Sequence, residues 1–494
     1  MKKIILTIMA MAAICSAADA RKVTGQVVSG KEKLSGVVVS DGENFTKTKK
    51  NGKFVLDIKD DAEFVYIVTP AGYAADWSTG VPAFYQEAAG KDTFVFDLLK
   101  TDDSGDYSII AVSDPQTRTK KHFSQFSAMP MAELAETAGN LDGAVAGIIL
   151  GDICWDSLEL LENYKNEIVR TGVPFYPVVG NHDHEMQVQG DLETSAKYRK
   201  AMGPENYAFF LGKDVVIILD NIIYDTQKKY EEGYAPHVLA WMKGLMNYVP
   251  KDADLYIAQH GTSFRWFDLE KPWEVAYQEL IDLVRGHKVT FISGHTHICN
   301  NMNYEENIVE HNVAAICAAW WDTYYCTDGS PSGYKVYECK DGNVEWYYKS
   351  LGKDKDYQVE FFMPGETPLN PECLVANVWD WDSEWKVEWF QDGKPMGELD
   401  PSFDLSPNYI KDINRAFKGK KIPGYKEPRL NWHYFAAAPA KDAKEVKIVV
   451  TSRFGKQWEC TVDMTKYADV KAEKVVPEGL PVNAVQMLKD LKIF

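Results

Sequence analysis

The chain has 494 residues, of which 45% are hydrophobic, 13% aromatic and 26% charged; this excludes a disordered tail, a collagen-like repeat and a small disulfide scaffold, and predicts roughly two to four domains with cores of their own. Its 72 acidic residues outweigh 54 basic ones, giving a net charge of -18, and no Lys/Arg-rich run breaks that balance, so nucleic acid and anionic membrane surfaces are poor partners. An anionic substrate must then meet local positive charge, such as a bound metal, rather than the field of the whole molecule.

Lys2 and Lys3, an apolar stretch from Ile4 to Ile14 and the small-residue pattern Ala18-Asp19-Ala20 predict a secretory signal peptide over residues 1–20, cut after Ala20. Export to the periplasm or the extracellular space is the expected localisation. Lipid anchoring through Cys15 is the minor alternative, because Ile14 stands where such a site wants a small residue. No later stretch approaches the ~20 apolar residues of a spanning helix, so no transmembrane segment is expected. The seven remaining cysteines are irregularly spaced and form neither a disulfide framework nor a zinc ribbon. Isolated buried thiols are expected, with Cys317 and Cys326 the pair to check for a bridge.

Over residues 21–100, short β-rich runs (Val23 to Val28, Gly36 to Ser40, Lys53 to Ile58, Phe64 to Thr69) alternate with turn signals, and Asn51-Gly52 is a strong hairpin cue. A small β-sandwich is expected. Leu34 to Gly42 and Thr48 to Phe54 resemble transthyretin-like or carboxypeptidase-regulatory-like modules. No polar constellation there carries chemistry, so the module reads as an accessory domain.

The texture changes over residues 107–350. Candidate strands at Ser108 to Val112, Gly147 to Leu150, Phe175 to Val179, Val215 to Leu219, Leu255 to Ala258 and Val289 to Ile292 alternate with candidate helices. The helices are read at Phe126 to Ala138, Ser157 to Thr171, His237 to Asn247 and Trp273 to Arg285. This alternation predicts an α/β sheet layered with helices. From 351 to 494 the pattern is β-rich again, with strands at Gln358 to Met363, Glu384 to Asp392 and Val446 to Arg453. Trp385, Val387 and Trp389 recur at period two, which is expected of a sandwich core; gripping a sugar ring is the alternative.

Metal-capable side chains come after one central strand after another: Asp114-Pro115-Gln116, Gly151-Asp152, Gly180-Asn181-His182-Asp183-His184, Gln259-His260-Gly261 and Gly294-His295-Thr296-His297. Ligands of open α/β sheets bind outside the carboxyl ends of the strands, so five stretches converge on one crevice. Asp, Asn, Gln and His without thiolate suit Zn, Mn, Fe or Mg rather than a soft copper site. A carboxylate can bridge two such cations, which together clamp a phosphoryl group.

This ordered set resembles the calcineurin-like metallophosphoesterase superfamily across about residues 107 to 300. The layout of signal, small β module, core and β-rich tail resembles an exported bacterial group of the same superfamily, whose flanking domains are known only as N- and C-terminal companions. The resemblance implies a layered α/β core and two divalent or trivalent metal ions (Mn, Zn, Fe or Mg). Asp114, Gln116, Asp152 and His297 would hold one metal. Asn181, His260 and His295, with Asp152 as bridge, would hold the other. His182 would serve the leaving group, and Asp183 would fix its orientation. The implied activity is hydrolysis of a phosphodiester or phosphomonoester, with a slight lean to the diester. The expected partner is a small-molecule, glycan-linked or lipid-linked phosphoester.

Gln116 departs from the commonest first motif, which carries histidine there, and Gly261-Thr262 departs from a frequent nearby proline. Gln116 and the Trp-rich tail motivate a rival reading, a degenerate metal- or carbohydrate-binding protein without turnover, which intact His182 and Asp183 oppose. His122, His237, His287, His311 and His433 read as surface or core residues, and His184 is ambiguous. Asp156 is expected to cap the next helix. Trp320, Trp321, Tyr324 and Tyr325 could wall the pocket or pack between core and tail. Cationic candidates near the motifs are Arg118, Lys120, Lys121 and Arg265.

Overall fold

The computed structural model describes residues 20–102, 104–263 and 274–467. The predicted signal peptide lies outside the described residues except for Ala20, as do Arg265 and Trp273. The amino-terminal part is a pair of four-stranded sheets. One joins Ala20–Ser29 to Glu32–Lys33, Lys53–Lys59 and Thr93–Asp97; the other joins Val38–Ser40 to Phe45–Lys47 and Phe64–Ile67, with Tyr85–Glu87 on the latter. Asn51-Gly52 makes a turn but not a hairpin within one sheet. The strands on either side of it belong to different sheets, so the turn carries the chain across the sandwich. Gly52 takes φ +72°, and a Cβ there would sit 2.7 Å from the Val27 carbonyl oxygen, which excludes any larger residue.

The central part contains β1 (Tyr107–Val112), α1 (Lys120–Asn140), β2 (Ala144–Ile149), α2 (Leu161–Ile168), β3 (Phe175–Pro177), β4 (Tyr207–Leu211) and β5 (Asp214–Ile218). It continues through α3 (Pro236–Met246), β6 (Leu255–Ala258), α4 (Tyr277–Val284), β7 (Val289–Ser293), β8 (Asn300–Glu305), β9 (Ile308–Asn312), β10 (Gly333–Lys340) and β11 (Asn343–Ser350). Two sheets result, in the orders β3-β2-β1-β10-β11 and β4-β5-β6-β7-β9-β8. β1, β2 and β3 are mutually parallel, as are β5, β6, β7 and β9.

Strand periodicity assigns the faces. Ile109 and Ala111 of β1 join Ile217, Ile257 and Phe291 in the core between the sheets. Ile110 and Val112 join Phe126, Met131 and Leu134 of α1 and Tyr164 of α2 on the outer face. Trp241, Leu245, Leu280 and Val284 bring α3 and α4 onto the second sheet. The parallel strands β1, β2, β5, β6 and β7 are therefore covered on both faces, which is why they read as largely apolar runs. α1 begins before the expected Phe126 because the Thr119 hydroxyl caps it, accepting the His122 N–H at 3.2 Å.

The carboxyl-terminal part forms two further four-stranded sheets, Glu360–Phe362 to Ser402–Asp404 through Leu374–Asn377 and Asn431–Ala437, and Lys394–Glu398 to Gln457–Asp463 through Lys386–Gln391 and Glu445–Thr451. Trp381, Trp385 and Val387 lie in the core between them, so the tryptophan stripe is sandwich core. Cys317 and Cys326 are both free and buried, and no described cysteine is bridged.

A buried ion pair fastens this part to the centre. The Lys335 ammonium of β10 donates to Asp380 at 2.7 Å and to Asn301 at 2.8 Å, and Lys335 and Asp380 side chains are each 1% exposed. Lys335→Met should lower unfolding free energy by about 3–5 kcal/mol, because it leaves a buried carboxylate uncompensated. The double variant Lys335→Met, Asp380→Leu should recover most of that loss in denaturant titrations monitored by tryptophan fluorescence.

Candidate metal centre

The expected ligands stand where parallel strands end: Asp114 after β1, Asp152 after β2, Asn181 after β3, His260 after β6, and His295 and His297 after β7. Their backbones are unusual. Asp114 (φ 50°), Gln116 (39°), Asp152 (49°), His295 (68°) and His297 (56°) all occupy the left-handed region, at about 1–3 kcal/mol each. Bonds among the same residues hold them there. The His295 N–H donates to the Asp114 carboxylate at 2.8 Å, the Gln116 N–H to the Asp152 carbonyl at 2.8 Å, and the His182 N–H to Asp152 Oδ1 at 2.8 Å. Gly151 (φ +81°) has no room for a side chain, since a Cβ would lie 2.5 Å from the His260 ring.

Two donor sets meet at Asp152. In the first, His260 Nε2 lies 3.1 Å from Asn181 Oδ1, 3.1 Å from His295 Nδ1 and 3.3 Å from Asp152 Oδ1. The ligand atoms of Asp152, His260 and His295 all fall within 4.8 Å of one another. In the second, Gln116 Nε2 donates to Asp152 Oδ2 at 2.7 Å and to Asp114 Oδ1 at 3.3 Å, while His297 Nε2 lies 3.4 Å from Asp114 Oδ1.

The imidazoles are aimed from behind. His260 Nδ1 lies 2.6 Å from the Leu150 carbonyl oxygen, His297 Nδ1 3.0 Å from that of Ala318, and His295 Nε2 3.3 Å from Glu232 Oε1. Each contact leaves the opposite ring nitrogen facing the cluster, the arrangement that metal-binding histidines use. Glu232 carries no sequence signal of this role.

The donor set fits two cations. Gln116 Oε1 and His297 Nε2 are buried without a hydrogen-bond partner, an expensive state unless something else satisfies them. Turning the Gln116 amide by half a turn would aim Oε1 at two carboxylates, which is repulsive unless a cation lies between them. Burial alone would push the His260 pKa down, yet Asp152 and Asp114 raise it to about 10. The carboxylates thus hold positive charge in the cluster.

His182 is held differently from expectation. Its Nδ1 lies 2.8 Å from Asp156 Oδ1, and Lys228 donates to Asp156 Oδ2 at 2.6 Å. Asp183 instead turns inward, accepting backbone N–H groups from Ile153 (3.2 Å), Cys154 (3.1 Å) and Gly180 (3.0 Å). Burial raises its carboxyl to about 7. The contact with His182 expected of Asp183 is therefore made by Asp156, and the capping position expected of Asp156 is taken by Ser157. The reason is local: neighbours in a single helical turn point apart, and Asn181–Asp183 is such a turn. His184 lies outside the cluster, with Nδ1 3.0 Å from the Gly180 carbonyl oxygen and its ring stacked on Tyr224.

A cavity of about 220 Å3 opens over the cluster, lined among others by Gln116, Asp152, Asn181, His182, His295, His297, Trp320, Tyr425 and Arg429. Of the aromatic wall candidates, Trp320 lines it. Trp321 donates to the Pro115 carbonyl, Tyr324 to that of Leu351 and Tyr325 to Glu360, so these three serve packing. Arg118 lies over the Trp155 ring. Tyr425 and Arg429, more than 100 positions beyond the last motif, gave no sign of belonging here.

Strand-end carboxylates and imidazoles of this kind on a layered α/β core define a candidate metal centre. Residues 107–299 match the calcineurin-like phosphoesterase family, residues 21–101 its N-terminal companion and residues 310–458 its C-terminal companion. The chain belongs to this family, with both companion domains. It is similar to a dimetal phosphatase from Danio rerio (12% identity, 50% of this chain and 99% of that one, TM-score 0.34). It is also similar to the purple acid phosphatase PPD1 of yellow lupin (12% identity, 64% and 67%, TM-score 0.38). A 5'-nucleotidase from Candida albicans is a further likeness (10% identity, 51% and 52%, TM-score 0.31). No curated protein matches the chain.

Asp156→Ala should lower kcat on a nitrophenyl phosphoester about tenfold or more with metal content unchanged by elemental analysis. Asp183→Ala should act first on stability, because three backbone N–H groups lose their acceptor; its melting temperature should fall well below that of Asp156→Ala.

Proposed function

We propose that the protein is an exported hydrolase of a phosphodiester or phosphomonoester, the diester favoured, that uses two metal ions held at Asp152. The observation that carries this reading is the division of the Asp152 carboxylate, Oδ1 toward His260 and the His182 N–H and Oδ2 toward Gln116. Asp114, Gln116, Asp152 and His297 would hold one ion, and Asn181, His260 and His295, with Asp152 shared, the other. When bound, ions of the Mn, Zn, Fe or Mg class supply Lewis acidity to the phosphoryl oxygens and lower the pKa of an attacking water.

The protein's own residues do the rest. The cavity, about 220 Å3 where about 10–15 Å3 suffices to hold one water, has room for a phosphoryl group and part of a substituent. His182 stands at its wall with Nδ1 fixed by Asp156, which leaves Nε2 to hold a proton for the departing alkoxide. The water oxygen bonds to phosphorus as the ester P–O bond breaks, and the proton from Nε2 neutralises the leaving oxygen. The Asp156–Lys228 pair supports turnover over the degenerate reading, since a binding module has no use for an oriented acid. Lys2, Lys3 and the apolar run to Ile14 support export.

Purified protein should hydrolyse bis-nitrophenyl phosphate after loading with Mn or Zn and lose that activity on chelation. Absence of turnover of any mono- or diester with two metals bound per chain would overturn the assignment. His182→Ala should keep both metals and lose about 100-fold or more in kcat, whereas Asp152→Ala should lose metal.

A further inference from the structure

We infer that Trp320 and Tyr425, positioned by Trp155 behind them, form a subsite for the leaving alcohol of the substrate and that it is built to take a ring. This rests on the hydrolytic reading above and names the substrate class of the same site.

The aromatic side chains connect the two chemical ends of the centre. The Trp320 ring stacks on His297 (centroids 4.4 Å, 24°), and Trp155 meets the His182 ring edge-on at 5.7 Å. Between them, Trp155 and Trp320 are 5.9 Å apart, and Tyr425 stands nearly perpendicular to both, at 6.1 and 4.7 Å. The frame thus runs from an expected metal ligand to the residue that protonates the leaving group. A ring entering the cavity where Trp320 and Tyr425 line it would meet aromatic surface set at nearly right angles, compatible with the offset and edge contacts that aromatic groups favour.

Packing alone does not account for the arrangement. Tyr425 is 44% exposed yet lines the cavity with Trp320 and His182. Trp320 (φ 55°) belongs to a loop in which Ala318 (51°) and Trp321 (67°) are also left-handed, strain of the kind stored at ligand sites. The carboxyl-terminal part locks that loop in place. Lys426 donates to Asp322 at 2.5 Å and lies 5.5 Å over the Trp320 ring, while its carbonyl accepts the Tyr409 hydroxyl at 2.7 Å. The companion domain thereby presents Tyr425 to the pocket and fixes the loop that carries Trp320, which makes it a specificity element rather than a spacer.

Three phosphates of primary alcohols share the same leaving oxygen and differ in the remainder of the alcohol: glycerol 3-phosphate has no ring, glucose 6-phosphate a sugar ring, and adenosine 5'-monophosphate a sugar and a base. Each is assayed on the metal-loaded full chain as monoester and as methyl diester. The expected result is a kcat/KM about tenfold higher for a ring-bearing ester than for the glycerol ester in the same form, and the two ring compounds distinguish a sugar from a base. Tyr425→Ala and Trp155→Ala should bring that ratio toward one. Phe454→Ala, a partly exposed aromatic residue outside this cavity, should leave it unchanged.

Equal kcat/KM across the series, or a ratio that survives both substitutions, overturns the subsite while the hydrolase reading stands. If no ester turns over, the hydrolase reading fails, and quenching of tryptophan fluorescence by the same three phosphates decides the subsite. Tighter binding of a ring compound that Tyr425→Ala abolishes keeps it; equal binding overturns it.

Discussion

The burial of one carboxylate, Asp152, at the point where the two central sheets open is the constraint on which the rest of the site depends. A lone carboxylate in that position would be untenable, and the surroundings answer it from every side. Its two oxygens face different donor sets, a backbone N–H from the next strand's loop reaches one of them, and its own backbone is forced into a left-handed turn. The neighbouring ligands share that conformation, so the strain is a property of the whole ring of strand ends. Such strain persists because the covered parallel strands beneath leave the loops no other path.

The same organisation resolves the acidic character of the chain. A net charge of -18 repels anions at long range, but screening limits that field to about 8–10 Å in physiological salt. Within the cavity, two bound cations would neutralise the carboxylates and offer positive charge to a phosphoryl group. The surplus acid elsewhere concerns solubility rather than substrate choice.

The flanking parts differ in how they meet the centre. The amino-terminal sandwich shares a continuous apolar core with the central sheets. The carboxyl-terminal part has its own core and joins through apolar contacts, Trp379 in the central core and Tyr409 and Ile413 on Ala319, together with polar ones, Lys335 with Asp380 and Asp328 with Asn431 and His433. Polar joints fix orientation, because a charge pair tolerates little displacement in a dry interior. That fixed orientation brings Tyr425 and Arg429 to the rim of the metal centre.

Much of this was legible from the chain alone. Apolar runs bounded by Gly-Asp, Gly-Asn-His-Asp and Gly-His-Thr-His announced the central strands and the cluster of side chains at their ends, because a parallel strand covered on both faces must be continuously apolar and its polar cargo must come after its end. Sheet membership was less accessible: Asn51-Gly52 signals a turn, but only long-range pairing decides whether that turn stays within a sheet. The partner of His182 was misread for a similar reason. Asp183 is adjacent in sequence but points inward to three backbone amides, whereas Asp156, 26 positions earlier, reaches the ring. Residue types and spacing therefore determined which chemistry the protein carries and at which strand ends. The tertiary structure alone decided which carboxylate contacts His182, that Glu232 backs His295 and that Tyr425 reaches the pocket, because side-chain direction and contacts between distant segments leave no periodic trace in the sequence.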